Sequence, residues 1–290
     1  MKRISLFVLL LLSLLTSTAS MASDFFTDFP RHRYRIVTQT YSPPDWPQAL
    51  KGDLYLPTAA AASRPVVLLV HGGSWQRGKR SHMARIARAL AVAGYAAFSI
   101  DYRLAPAFRH PAQLHDMQQA MRWLQAHAGE YGLDMQRSAA WGFSAGAHLV
   151  SLLAVQPPVE GQPLLRAVVA GGTPADLRIY PDSPAVKALL GARPAEAPAL
   201  YEEASPLAQV RPGLPAFFLY HGEADDLVIP EQARRFAAAL AKAGVPAELL
   251  LIRDFGHVRT ALFLGNILPP ALAFLATNLR AATVADKTPE

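Results

Sequence analysis

The sequence predicts an α/β fold, a mostly parallel eight-stranded sheet with helices on both faces. Three observations predict it. Short apolar, β-branched runs recur along the chain; they alternate with segments whose apolar residues repeat at helical spacing; and glycine or proline punctuates the junctions. Such alternation leaves parallel strands joined by crossover helices. The 290-residue chain is 51% hydrophobic, enough to bury one large core.

The elements follow in order. "RYRIVTQTY" (33–41) and "KGDLYLP" (51–57) alternate and read as antiparallel edge strands. "RPVVLLVHGG" (64–73) is a continuous apolar run, as expected of a buried strand. In 81–95, Ile86, Leu90 and Ala93 share a helix face that Gly94 closes. "YAAFSIDY" (95–102) is the next strand. Leu114, Met117, Met121 and Leu124 form one apolar stripe, so 110–132 holds a helix. "SAAWGF" (138–143) reads as a strand and 144–155 as a helix. Further strands are expected at 165–172, 215–222 and 247–255. A helix spans 230–244, begun by proline and ended by Gly244. A C-terminal helix within 261–280 is interrupted or begun anew at Pro269-Pro270. Residues 174 to 215 carry eight prolines between two strands and read as a small cap insertion rather than a second domain.

The N-terminus places Lys2 and Arg3 before an apolar run, Ile4 to Leu15, followed by small residues. That layout predicts a cleavable export signal over 1–22, a mature domain over 23–290, and a secreted or periplasmic protein. Ser17-Thr18-Ala19 offers a second cleavage site. The run falls short of the ~20 residues that span a bilayer, and no stable membrane span is expected. With no cysteine, the chain has no thiol nucleophile and no disulfide. Its net charge of +6 is scattered, without a basic stripe, which argues against nucleic acid as a partner. No His/Asp/Glu cluster has metal-ligand spacing, so neither a metal nor another cofactor is expected.

Gly142-Phe143-Ser144-Ala145-Gly146 lies where the strand ending at 143 becomes a helix. A serine between two glycines at such a junction fits the strained elbow that lifts a nucleophilic hydroxyl clear of the backbone. A serine hydroxyl needs a base, and of nine histidines only His148, His221 and His257 follow Ser144. His148 lies on the helix after the elbow and reads as structural. His221 suits a turn. His257 follows the last strand, where it can reach back to Ser144. The acid belongs on the loop after the preceding strand, "HGEADDLVIPEQ", which offers Glu223, Asp225 and Asp226. The spacing His-Gly-x-x-Asp selects Asp225, with Asp226 as the alternative. "HGGSW" (71–75) would aim backbone N–H groups at a developing oxyanion, with the N–H of Ala145. Trp75 and Phe143 are candidate lining for the substrate pocket. Arg103 is expected to pair with a carboxylate such as Asp116.

"HGGSW", "DYRLAP", "GFSAG", "HGEADDLV" and "FGH" together resemble the α/β-hydrolase esterases with a His-Gly-Gly oxyanion motif, related to the hormone-sensitive lipases. The resemblance covers about residues 50 to 280. It implies a Ser144–Asp225–His257 triad with Gly73, Ser74 and Ala145 as oxyanion donors. Ser74-Trp75 stands where many such relatives carry a third glycine and its follower. In this it resembles feruloyl-esterase-like members and kynurenine formamidases. The expected function is hydrolysis of small carboxylic esters. The alternatives are an arylformamidase-type amide hydrolase and a non-catalytic binding protein on the same fold.

Overall fold

A computed structural model describes residues 29–157 and 163–280. The export signal read over 1–22 lies outside the described residues. Strands β1 (Tyr34–Thr40), β2 (Lys51–Pro57) and β3 (Arg64–Val70) open the fold, and α1 (Ala84–Val92) and β4 (Ala96–Ile100) follow. Next come α2 (Ala112–Ala126), the single turn α3 (Ala128–Tyr131), β5 (Leu133–Phe143), α4 (Ala145–Val155) and β6 (Ala167–Gly171). Helices α5 (Pro184–Leu190) and α6 (Pro198–Glu203) precede β7 (Ala216–Gly222). Helix α7 (Glu231–Lys242), β8 (Ala247–Ile252), α8 (His257–Leu262) and α9 (Leu268–Asn278) complete the described chain.

The described strands form an eight-stranded sheet in the order β1-β2-β4-β3-β5-β6-β7-β8. From β4 to β8 the pairs are parallel, and β2 runs antiparallel to both neighbours. The sequence placed both early strands at an edge, but β2 lies inside the sheet. Leu54, Tyr55 and Leu56 are all buried there, which an edge strand with one wet face could not do.

Period-two alternation sorts the core into two layers. Val66, Leu68 and Val70 pack with Leu114, Leu149 and Phe236, from α2, α4 and α7. Val67 and Leu69 point the other way, onto Ile86, Leu90 and Phe274 of α1 and α9. Val67, Leu68 and Leu69 are wholly buried. Each contributes roughly 1.5–3 kcal/mol of apolar burial. The C-terminal helix begins anew at Leu268, with its prolines in the first turn, where the missing N–H groups cost nothing. Arg103 pairs with buried Asp116 at 2.8 Å, and the Trp46 indole donates to the same carboxylate. Arg103 is therefore spent on structure.

This topology leaves the carboxyl ends of β3, β5, β7 and β8 along one sheet edge, where open parallel sheets bind ligands. The segment 174–215, with α5 and α6, lies between β6 and β7 and packs back on the body. There the His110 N–H donates to the Leu189 carbonyl and His148 hydrogen-bonds the Ala204 carbonyl.

Candidate active site

Ser144 directly follows β5 and stands at the N-cap position of α4, with φ 56° and ψ −123°. Left-handed φ is costly for a residue with a side chain, of order 1–3 kcal/mol, and survives only where neighbours enforce it. Close packing enforces it here. A Cβ at Gly146 would collide with the Val70 carbonyl, and one at Gly142 with the Gly146 backbone. Glycine at these two places lets α4 press against β3 and β5, so the chain must turn sharply at the serine between them.

Three side chains from three strand ends meet at this turn. His257 Nε2 lies 2.8 Å from Ser144 Oγ, and His257 Nδ1 lies 2.6 Å from Asp225 Oδ2. The other Asp225 oxygen accepts from the N–H groups of Leu227 (3.1 Å) and Val228 (2.9 Å). Burial alone would raise the Asp225 carboxyl. Hydrogen bonds from His221, His257 and the Val228 N–H outweigh it and hold the group well below the usual carboxylate range. An ionised Asp225 only accepts, so Nδ1 of His257 carries the proton and Nε2 is left to accept from the serine hydroxyl. Asp226 is exposed and takes no part in this run.

The loop after β3 lies against the serine. A Cβ on Gly72 would stand 3.2 Å from Ser144 Cβ. Gly73, Ser74 and Trp75 all have positive φ, at 123°, 55° and 59°. Among the described residues, the N–H groups of Gly73 and Ser74 make no hydrogen bond to protein. Ala145 is the first residue of α4, whose N–H has no partner within the helix.

The sequence reading missed one support and left the partners of another unnamed. His221 is fully buried, with Nε2 2.7 Å from the Val228 carbonyl and 3.3 Å from Asp225 Oδ2, so it braces the acid's loop. Its signal was the four-residue spacing to Asp225. His148, read from the sequence as structural, is also fully buried. Its Nδ1 accepts from the Trp75 indole at 3.2 Å and its Nε2 bonds the Ala204 carbonyl at 2.7 Å. Trp75 is thereby held in the core, and it also lines a small chamber beside Ser144. Phe143 packs 4.9 Å from the His257 ring and lines a larger cleft.

Burial pulls His71 and His148 down to about 4, against the opposing effect of the hydrogen bonds their rings make to the Gly72 and Ala204 carbonyls. Unfolded, both would protonate near 6.5. Between those values the unfolded chain binds more protons, so stability falls as pH drops from about 6.5 and levels off near 4. The expected loss is roughly 3 kcal/mol per histidine at most. Denaturant midpoints at pH 7, 5.5 and 4.5 measure it, and a flat profile would contradict it.

The sheet order and the strand-to-helix elbow define an α/β-hydrolase fold. A family model described as BD-FAE matches residues 52–240, and the chain belongs to that family. Esterase LipQ of Mycobacterium tuberculosis is 30% identical over 201 residues, 62% of this chain and 46% of its own. Esterase LipC of the same organism is 31% identical over 206 residues, 64% of this chain and 49% of its own. The chain thus spans about half the length of the curated relatives it matches. Among solved structures, the thermophilic esterase Est2 of Thermogutta terrifontis superposes with a TM-score of 0.71 at 26% identity, covering 83% of this chain and 92% of that one.

Proposed function

We propose that this chain hydrolyses carboxylic esters through an acyl-enzyme on Ser144. The observation that carries the reading is the unbroken run from Asp225 through His257 to Ser144 Oγ. His257 Nε2 takes the hydroxyl proton as Oγ attacks the carbonyl carbon. The carbonyl π electrons move onto oxygen, and that oxyanion accepts from the N–H groups of Ser74 or Gly73 and of Ala145. Asp225 holds the ring and stabilises the imidazolium. As the tetrahedral intermediate collapses, the alcohol leaves with the proton from His257. Water, deprotonated by the same nitrogen, then releases the acid. The names of the relatives, esterases all, support this chemistry.

The test is labelling of the purified protein with a fluorophosphonate, read by peptide mass spectrometry, beside aryl esters of graded acyl length and an aryl formamide. Modification of Ser144 with ester turnover is expected. Turnover of the formamide alone would move the activity to amides, and no modification would favour the non-catalytic alternative. We propose export as well, supported by the basic, apolar and small residues in order over 1–22. N-terminal sequencing of protein expressed in a bacterial host should find the chain beginning at Ser23 in the exported fraction. A chain beginning at Met1 there would refute it.

A further inference from the structure

Two spaces of unequal size meet at Ser144. One is a chamber of about 70 Å³, lined by Trp75, Ala145, Tyr180, Val186 and Val228. The other is an open cleft of about 620 Å³ that includes Phe143, Tyr220, His257 and Val258. Ser74 and Ser144 border both, but His257 borders only the cleft. On the ester-hydrolase reading, which this inference rests on, His257 must hand its proton to the departing alcohol oxygen. The alcohol half therefore lies in the cleft and the acyl half in the chamber. At roughly 10–15 Å³ per water-sized site, the chamber holds about five such sites, the scale of a short acyl group.

The cleft has a charge of one sign. Arg77 and Arg85 both line it, His82 stands beside them, and none of its lining residues is acidic among the described residues. Asp226, the neighbour of lining residue Leu227, lies outside the lining. Arg85 Nη1 donates to the Leu262 carbonyl at 2.6 Å, which fixes one cation at the end of α8. Arg77 follows the oxyanion loop, and its backbone N–H bonds the Gly73 carbonyl at 3.1 Å. Its side chain is exposed and makes no hydrogen bond or ion pair among the described residues. The other walls are apolar, from Met83, Ile86, Phe143, Leu227, Val258 and Leu262. Apolar walls lower the local dielectric and strengthen a nearby charge, and a guanidinium matches a carboxylate with two parallel hydrogen bonds.

We propose that Arg77, with the field of Arg85 behind it, forms a carboxylate subsite for the alcohol half of the substrate. The preferred esters join a short acyl group to a bulky, largely apolar alcohol that bears a carboxylate. The subsite acts on specificity and adds no step to the chemistry.

The probes are 4-acetoxybenzoate and its neutral counterpart 4-acetoxybenzamide, compared by kcat/KM. The wild-type protein should favour the benzoate about fivefold or more, less so as salt is raised. Arg77→Gln should lower the benzoate-to-benzamide ratio about tenfold, Arg77→Lys should keep part of it, and Arg77→Glu should reverse the preference. Arg122→Gln removes the same unit of charge outside the cleft and should leave the ratio as it was. A ratio unmoved by Arg77→Gln, or moved equally by Arg122→Gln, would overturn the subsite while ester hydrolysis stood. Failure of both esters, with Ser144 unlabelled by fluorophosphonate, would overturn the hydrolase reading and the subsite with it.

Discussion

Replacing Ser144 with alanine is expected to lower ester hydrolysis by roughly 10⁴–10⁶-fold while the protein stays folded. The loss is large because, in the proposed mechanism, the hydroxyl oxygen forms the bond to the acyl carbon. The remaining donors and base can only assist water. Fluorophosphonate labelling should vanish with it. The same position carries a second expectation. Its φ of 56° is strained for serine, and glycine tolerates that region far better. Ser144→Gly should therefore be as inactive as the alanine variant yet about 1 kcal/mol more stable than wild type. Activity above about 1% of wild type in Ser144→Ala would remove the serine from the mechanism. A Ser144→Gly protein less stable than wild type would mean that the elbow is not strained.

Asp225→Asn is expected to reduce kcat by about 10⁴-fold, with KM changed little. Asparagine keeps the shape but turns the group facing His257 into either a donor or an uncharged acceptor. If its N–H₂ faces Nδ1, that nitrogen must accept, and the proton moves to Nε2. Nε2 then no longer accepts from Ser144, and the 2.8 Å contact loses its catalytic sense. If its oxygen faces Nδ1, the ring keeps its tautomer but loses the charge that stabilises the imidazolium. Asp226→Asn should stay within about twofold of wild type, because Asp226 is exposed and outside the hydrogen-bonded run. Stopped-time hydrolysis of one aryl acetate by both variants decides between the neighbours. Equal losses, or the larger loss at Asp226, would reassign the acid.

His221 shows why one acid of an adjacent pair can be favoured by spacing and still not be explained by it. The His-Gly-x-x-Asp pattern points to Asp225. The reason lies in the fold: His221 and two backbone N–H groups fix this carboxylate within the buried loop, while the next residue is turned to solvent.

The sequence by itself determined the layered α/β architecture and the strand-to-helix elbow at Ser144, and it singled out the loop after β3 and the residues proposed as base and acid. These are local signals. Apolar runs of period two, helical stripes, and glycines at a strand-to-helix junction are each written within a few neighbouring residues. Only the tertiary structure decided what depends on distant segments meeting. It put β2 inside the sheet, because pairing with both β1 and β4 is a property of three separated segments. It buried His148 between Trp75 and Ala204, partners 73 and 56 residues away, contacts that its place on the helix could not name. It brought a small chamber and a wide cleft together at Ser144, with His257 and two arginines lining the cleft alone. Side-chain chemistry is legible one residue at a time. Enclosed volume and the sign of a cleft's field are sums over loops that are far apart in the chain, and they exist only once the sheet has aligned the ends of its strands.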